Sequence, residues 1–142
     1  MAISKRVSMP FQGQNKDANA LSGVASHKRI IAIDESDMSG VADDGVIYTF
    51  PSDAILERVY VRNTGTTAFV IATTAYIDDG TTHQTADIKT LAANTGSYTY
   101  VEPAVKAKGA QLLWDLGGAN TSAATASCEI IIECIFLDDV AA

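Results

Sequence analysis

Short β-prone runs recur along residues 29–139, each closed by Gly, Asp, Ser, Thr or Pro. The clearest is CEIIIECIFLDD at 128–139. Cys128, Ile130, Ile132, Cys134 and Phe136 fall on one face, and Glu129, Ile131, Glu133 and Ile135 on the other. That period of two predicts a strand with one face in a core. AILERVYVRN at 54–63 predicts a second strand, with Ile55, Val59 and Val61 facing one way beside Glu57. Leu56, Arg58, Tyr60 and Arg62 face the other way.

Further strands are expected at 29–34, 46–50, 67–77, 98–101 and 111–116, and 81–89 reads as the partner of 67–77 across an Asp78–Gly80 turn. Pro51 and Pro103 close two of these runs. Residues 104–110 fit either a short helix or an irregular crossing. DESDMSGVADDG at 34–45 and GGANTSAATAS at 117–127 have loop composition. About eight strands without an amphipathic helix predict an all-β fold, an antiparallel β-sandwich of jelly-roll type. An immunoglobulin-like sandwich is the alternative, but its Cys–Trp–Cys spacing is absent. Missing crossover helices argue against a parallel α/β fold.

The first 28 residues break this pattern. They are expected to form an extended N-terminal arm, with the β-sandwich domain over 29–142. Charge separates the two regions as well. Residues 1–29 carry five Lys/Arg against one Asp, and residues 30–142 carry five against sixteen Asp/Glu. A +4 N-terminal stretch thus leads into a −11 remainder, within a net −7 for 142 residues. An acidic body argues against direct nucleic-acid binding, which needs clustered Lys/Arg. Met9, Phe11 and Leu21 are candidate apolar anchors for the arm, and Lys5 and Arg6 candidate contacts to an acidic partner surface. No apolar run marks a signal peptide or a membrane-spanning helix.

Candidate chemistry is sparse. Cys128 and Cys134 share a strand face about 20 Å apart, too far for a disulfide, and read as small buried hydrophobes. Two free thiols fit synthesis inside a cell. His27 and His83 stand apart, so neither a catalytic set nor a metal site is expected, and His83 reads as a surface or interface residue. Asp34, Asp37, Asp43 and Asp44 lack the calcium-loop spacing and read as a solvated loop. Trp114, within LLWDL, reads as core or subunit interface rather than as a sugar platform.

The stretches ILERVYVRNTGTTAFV, YIDDGTT and CEIIIECIFLDD, together with the arm, resemble the capsid decoration (cement) proteins of tailed bacteriophages. The resemblance implies a non-enzymatic, jelly-roll-like virion protein without a cofactor, made in the host cytoplasm. It also implies a homo-oligomer, with a trimer favoured, that clamps neighbouring major capsid proteins from outside. The competing expectations are another virion part (a head–tail connector, tail or fibre component) and a carbohydrate-binding β-sandwich module.

Overall fold

The computed structural model describes residues 28–137. Eight strands form two antiparallel sheets: β1 (Lys28–Glu35), β2 (Val46–Thr49), β3 (Ala54–Asn63), β4 (Ala75–Asp78), β5 (Gly96–Ser97), β6 (Ala104–Lys106), β7 (Gln111–Leu116) and β8 (Cys128–Phe136). In the first sheet β8 lies between β1 and β3, and both β5 and β6 pair with the far edge of β3. The second sheet runs β2-β7-β4.

The pairing is nested. β1 pairs with β8, β2 with β7 and β3 with β6. β4 continues the series with the segment that follows it. Asp78 bridges to His83, Gln84 N–H donates to Ile77 O at 2.7 Å, and Ile88 N–H donates to Ala75 O at 2.8 Å. One long antiparallel hairpin, rolled so that its halves become two facing sheets, is a jelly roll. The expected sandwich is therefore the observed fold.

Its core lies between the sheets. Cys128, Ile130, Ile132 and Cys134 of β8 are fully buried with Val59 and Val61 of β3 and Leu112 and Trp114 of β7, and Phe136 packs against the same cluster. The alternation read in 128–136 is thus the observed register. Each such aliphatic side chain contributes about 1.5–3 kcal/mol on burial.

The phase of β3 differs from the sequence reading. Leu56, not Ile55, is buried with Val59 and Val61. The register against β8 slips between Leu56, opposite Cys134, and Arg58, opposite Glu133. Glu57 is the extra residue, and a bulge of this kind reverses the face of every residue on one side of it. The expected strand 67–77 is likewise broken. Phe69 and Ile71 donate to Leu91 O and Lys89 O, the chain then turns at Thr73 (φ 68°), and β4 begins at Ala75. The 117–118 loop forces the break, because Gly117 N–H donates to Thr74 O and a Cβ on Gly117 would lie 2.4 Å from Thr74 Oγ1.

Residues 98–101 are not a strand. Pairing with β3 passes instead to Ala104–Lys106, beyond Pro103, which leaves Tyr98 and Tyr100 exposed. In the 34–45 loop a 3₁₀ turn at Met38–Gly40 drives Met38 into the core. Met38 N–H donates to Ala126 O, Met38 O accepts from Asn120 Nδ2 at 2.7 Å, and Asp37 caps the turn through Ser39 N–H. Among the described residues no helix is long and apolar enough to cross a membrane.

Candidate functional site

Two surface regions bring functional side chains together, one on each sheet. On the outward face of the first sheet, charged residues form a ladder across three strands. Lys28 Nζ lies 3.0 Å from Glu57 and 3.2 Å from Glu133, and Arg62 lies 3.0 Å from Glu129. The Lys28 ammonium is held above its ordinary pKa by its hydrogen bonds to Glu57 and then Glu133. Opposite-charge neighbours across strands stabilise a solvated sheet face modestly.

Apolar side chains interrupt that ladder and its border. Ile30 is 68% exposed, Val105 65% and Tyr100 82%. Tyr98 lies beside Tyr60 with ring centroids 6.0 Å apart, and the Arg58 guanidinium sits 5.2 Å from the Tyr98 centroid. A shallow groove of about 300 Å³ runs between Arg58, Tyr98, Tyr100 and Pro103. Isolated exposed apolar residues are ordinary, but several near one sheet face make a surface suited to contact with another molecule.

The second region is the turn after β4. Asp79 Oδ1 accepts from Thr81 N–H at 2.9 Å and Thr82 N–H at 2.7 Å, while Asp79 Oδ2 meets the Lys106 ammonium. Both side chains are mostly buried, Asp79 8% and Lys106 16% exposed. Burial pushes the Asp79 carboxyl up, but Lys106 and the two backbone donors outweigh it and leave the carboxyl below its ordinary value. This pair ties the β4 turn to β6, and so one sheet to the other.

Next to it, four side chains converge on the outward face of the second sheet. Tyr76 and Asp78 of β4 point the same way, Asp115 of β7 lies opposite Tyr76, and His83 bridges back to Asp78. The His83 ring stacks on Tyr76 at 3.6 Å and 10°. Its Nε2 lies 3.4 Å from Asp115 Oδ2 and 3.6 Å from Asp78 Oδ2. Asp78 Oδ1 accepts from Gly80 N–H, in a turn where Gly80 has φ 95°, a conformation that favours glycine.

His83 therefore does sit at the surface, as its sequence context implied, but with partners that the sequence did not pair with it. The 34–45 loop carboxylates do not converge in this way. Trp114 is buried, so it offers no platform to a sugar; its Nε1 has no partner among the described residues. Cys128 and Cys134 are free and buried, and burial pushes the Cys128 thiol up to about 12 and raises that of Cys134. Neither suits a nucleophile, which needs accessible thiolate. Lys5, Arg6, Met9, Phe11 and Leu21 lie outside the described residues.

No protein-family model matches the sequence, and no curated protein matches it. Among solved structures, a chain of "Cyanophage Pam1 capsid asymmetric unit" is similar, with a TM-score of 0.48 and 11% identity over 77% of this chain and 84% of that one.

Proposed function

We propose that this protein is a non-enzymatic structural component of a virion, a capsid decoration protein that holds neighbouring major capsid proteins together. The jelly roll alone does not decide this, since capsid proteins, lectins and enzymes all use it. The reading rests on charge: residues 1–27, ahead of β1, carry three Lys/Arg and one Asp, net +2, and residues 28–142 carry seven Lys/Arg and sixteen Asp/Glu, net −9. β1, the strand that follows the arm in sequence, is an edge strand that presents Ile30 to solvent. In this reading Met9, Phe11 and Leu21 seat on a neighbouring subunit, and Lys5 and Arg6 meet its acidic surface. The chain works as a homo-oligomer, with a trimer favoured. Three buried anchors contribute about 1.5–3 kcal/mol each before ordering costs, and the basic contacts add a salt-sensitive part.

The test uses empty capsid shells of the virus that encodes the chain, mixed with intact protein or with protein lacking residues 1–26. Intact protein is expected to co-sediment, less so as salt rises and the Debye length falls below about 10 Å. The truncated protein stays folded and remains in the supernatant. Full occupancy by the truncated chain overturns the role of the arm. Failure of the intact chain to sediment overturns the capsid reading.

A carbohydrate-binding module is the second reading, favoured by the groove beside Tyr98 and Tyr100. It predicts that Tyr100→Ala abolishes retention on a glycan array and leaves capsid co-sedimentation intact.

A further inference from the structure

We propose that Asp78, His83 and Asp115 form a binding site for one divalent transition-metal ion of the zinc class, on the outward face of the second sheet. The inference is independent of the capsid reading and departs from the sequence expectation that no metal is held.

The geometry comes first. A tetrahedral zinc centre places nitrogen and oxygen ligands about 2.0–2.2 Å from the ion, so neighbouring ligand atoms sit roughly 3.3–3.6 Å apart. The His83 Nε2 separations of 3.4 Å to Asp115 and 3.6 Å to Asp78 match those tetrahedron edges. The three ligand atoms all lie within 4.8 Å of one another.

Positioning comes second. Asp78 ends β4, and Asp115 sits in β7, paired directly with β4. The two carboxylates thus come from one sheet rather than from mobile loops. The Tyr76 face fixes the plane of the imidazole, and Gly80 N–H holds the other oxygen of Asp78, so its Oδ2 is turned to His83. Support of this kind around first ligands is what distinguishes a metal site from a chance cluster.

The donor set comes third. One imidazole with two carboxylates suits zinc, cobalt or nickel better than calcium or magnesium, which take oxygen ligands alone. Asp79, next in sequence, does not compete, because Lys106, Thr81 and Thr82 engage it. The thiols of Cys128 and Cys134 are buried in the core.

The full chain is titrated with zinc by calorimetry and with cobalt by visible absorption. Variants are His83→Gln, Asp115→Asn and, as a control for the other histidine, His27→Gln. Circular dichroism checks that each variant is folded. One zinc per chain is expected, with a cobalt spectrum free of thiolate charge-transfer bands. Loss of an outer-shell partner of a metal site typically costs about 10–100-fold in affinity. His83→Gln and Asp115→Asn remove ligands themselves and are expected to lose at least that much, while His27→Gln binds as the parent does. Absence of heat and of a cobalt spectrum in the parent overturns the proposal, leaving a histidine that merely lies beside two carboxylates. Binding that survives His83→Gln, or that disappears with His27→Gln, overturns it equally.

Discussion

Replacing Asn63 with alanine tests how the end of the roll is held. Asn63 closes β3 and is fully buried. Its Nδ2 donates to Thr67 O and to Leu91 O, each at 2.9 Å, and its Oδ1 accepts from Gly65 N–H at 2.8 Å. One side chain thus joins the turn after β3 to the connection before β5. In Asn63→Ala the three groups fare differently. Leu91 O keeps the Phe69 N–H, so its loss is small. Thr67 O loses the side-chain amide. Gly65 N–H loses its acceptor in a place where nothing can shift to replace it. Gly65 is packed so closely that a Cβ would lie 2.2 Å from Thr125 O.

An abandoned buried donor costs about 1–3 kcal/mol, and each lost carbonyl bond about 0.5–1.5 kcal/mol. The variant should therefore lose about 3 kcal/mol, a large part of the roughly 5–15 kcal/mol that a domain possesses. At about 3–4 °C per kcal/mol for a domain of this size, the melting temperature falls by about 10 °C. Urea unfolding, with the midpoint and slope fitted separately, measures it. Asn63→Asp should fall at least as far at neutral pH, because it keeps an acceptor for Gly65 but sets a charge against two carbonyl oxygens. A loss below about 1 kcal/mol at unchanged slope, in Asn63→Ala, would refute the reasoning.

Two further outcomes follow from buried groups. Asp79→Ala strands the Lys106 ammonium in a mostly buried position and should cost about 3–5 kcal/mol in denaturant melts. Because the Asp79 carboxyl lies below its ordinary value when folded, its contribution is full above about pH 4 and fades as the pH falls through the folded value, so Asp79→Asn should flatten that acid limb. Cys128 and Cys134 should resist a thiol reagent in the native protein and react in urea; rapid labelling of folded protein would contradict their burial.

The sequence was most readable in β8, whose inner face is buried without a break in register. β8 must hide one whole face, so its alternation is strict and its register could be read directly. β3 was harder, because apolar residues stand at both 55 and 56 and nothing local says that Glu57 bulges out. Residues 67–77 look like one strand because Phe69, Ile71, Ala75 and Ile77 keep their phase; the glycine loop that interrupts them comes from residue 117 onward. The same distance hides the polar clusters. Asn63 finds its acceptors at 67 and 91, Asp79 finds Lys106, and His83 finds Asp115 only when β7 pairs with β4. Each is an ordinary residue in its own neighbourhood, and topology alone supplies the partner.

The nested pairing also dictates an order of events during synthesis. Lys28 lies opposite Ile135, so the first described strand waits for the last. β8 is also the strand that joins β1 to β3. While the ribosome is still making residues before 128, the first sheet has no middle, and β1 and most of β3 have no ladder to enter. The second sheet, β2-β7-β4, and the pairs of β3 with β5 and β6 can all close before β8 is made. The fold therefore has a high contact order and is a slow, late-closing one. Its most apolar strand emerges when the edges that must receive it are already waiting, which shortens the time it is exposed to other chains.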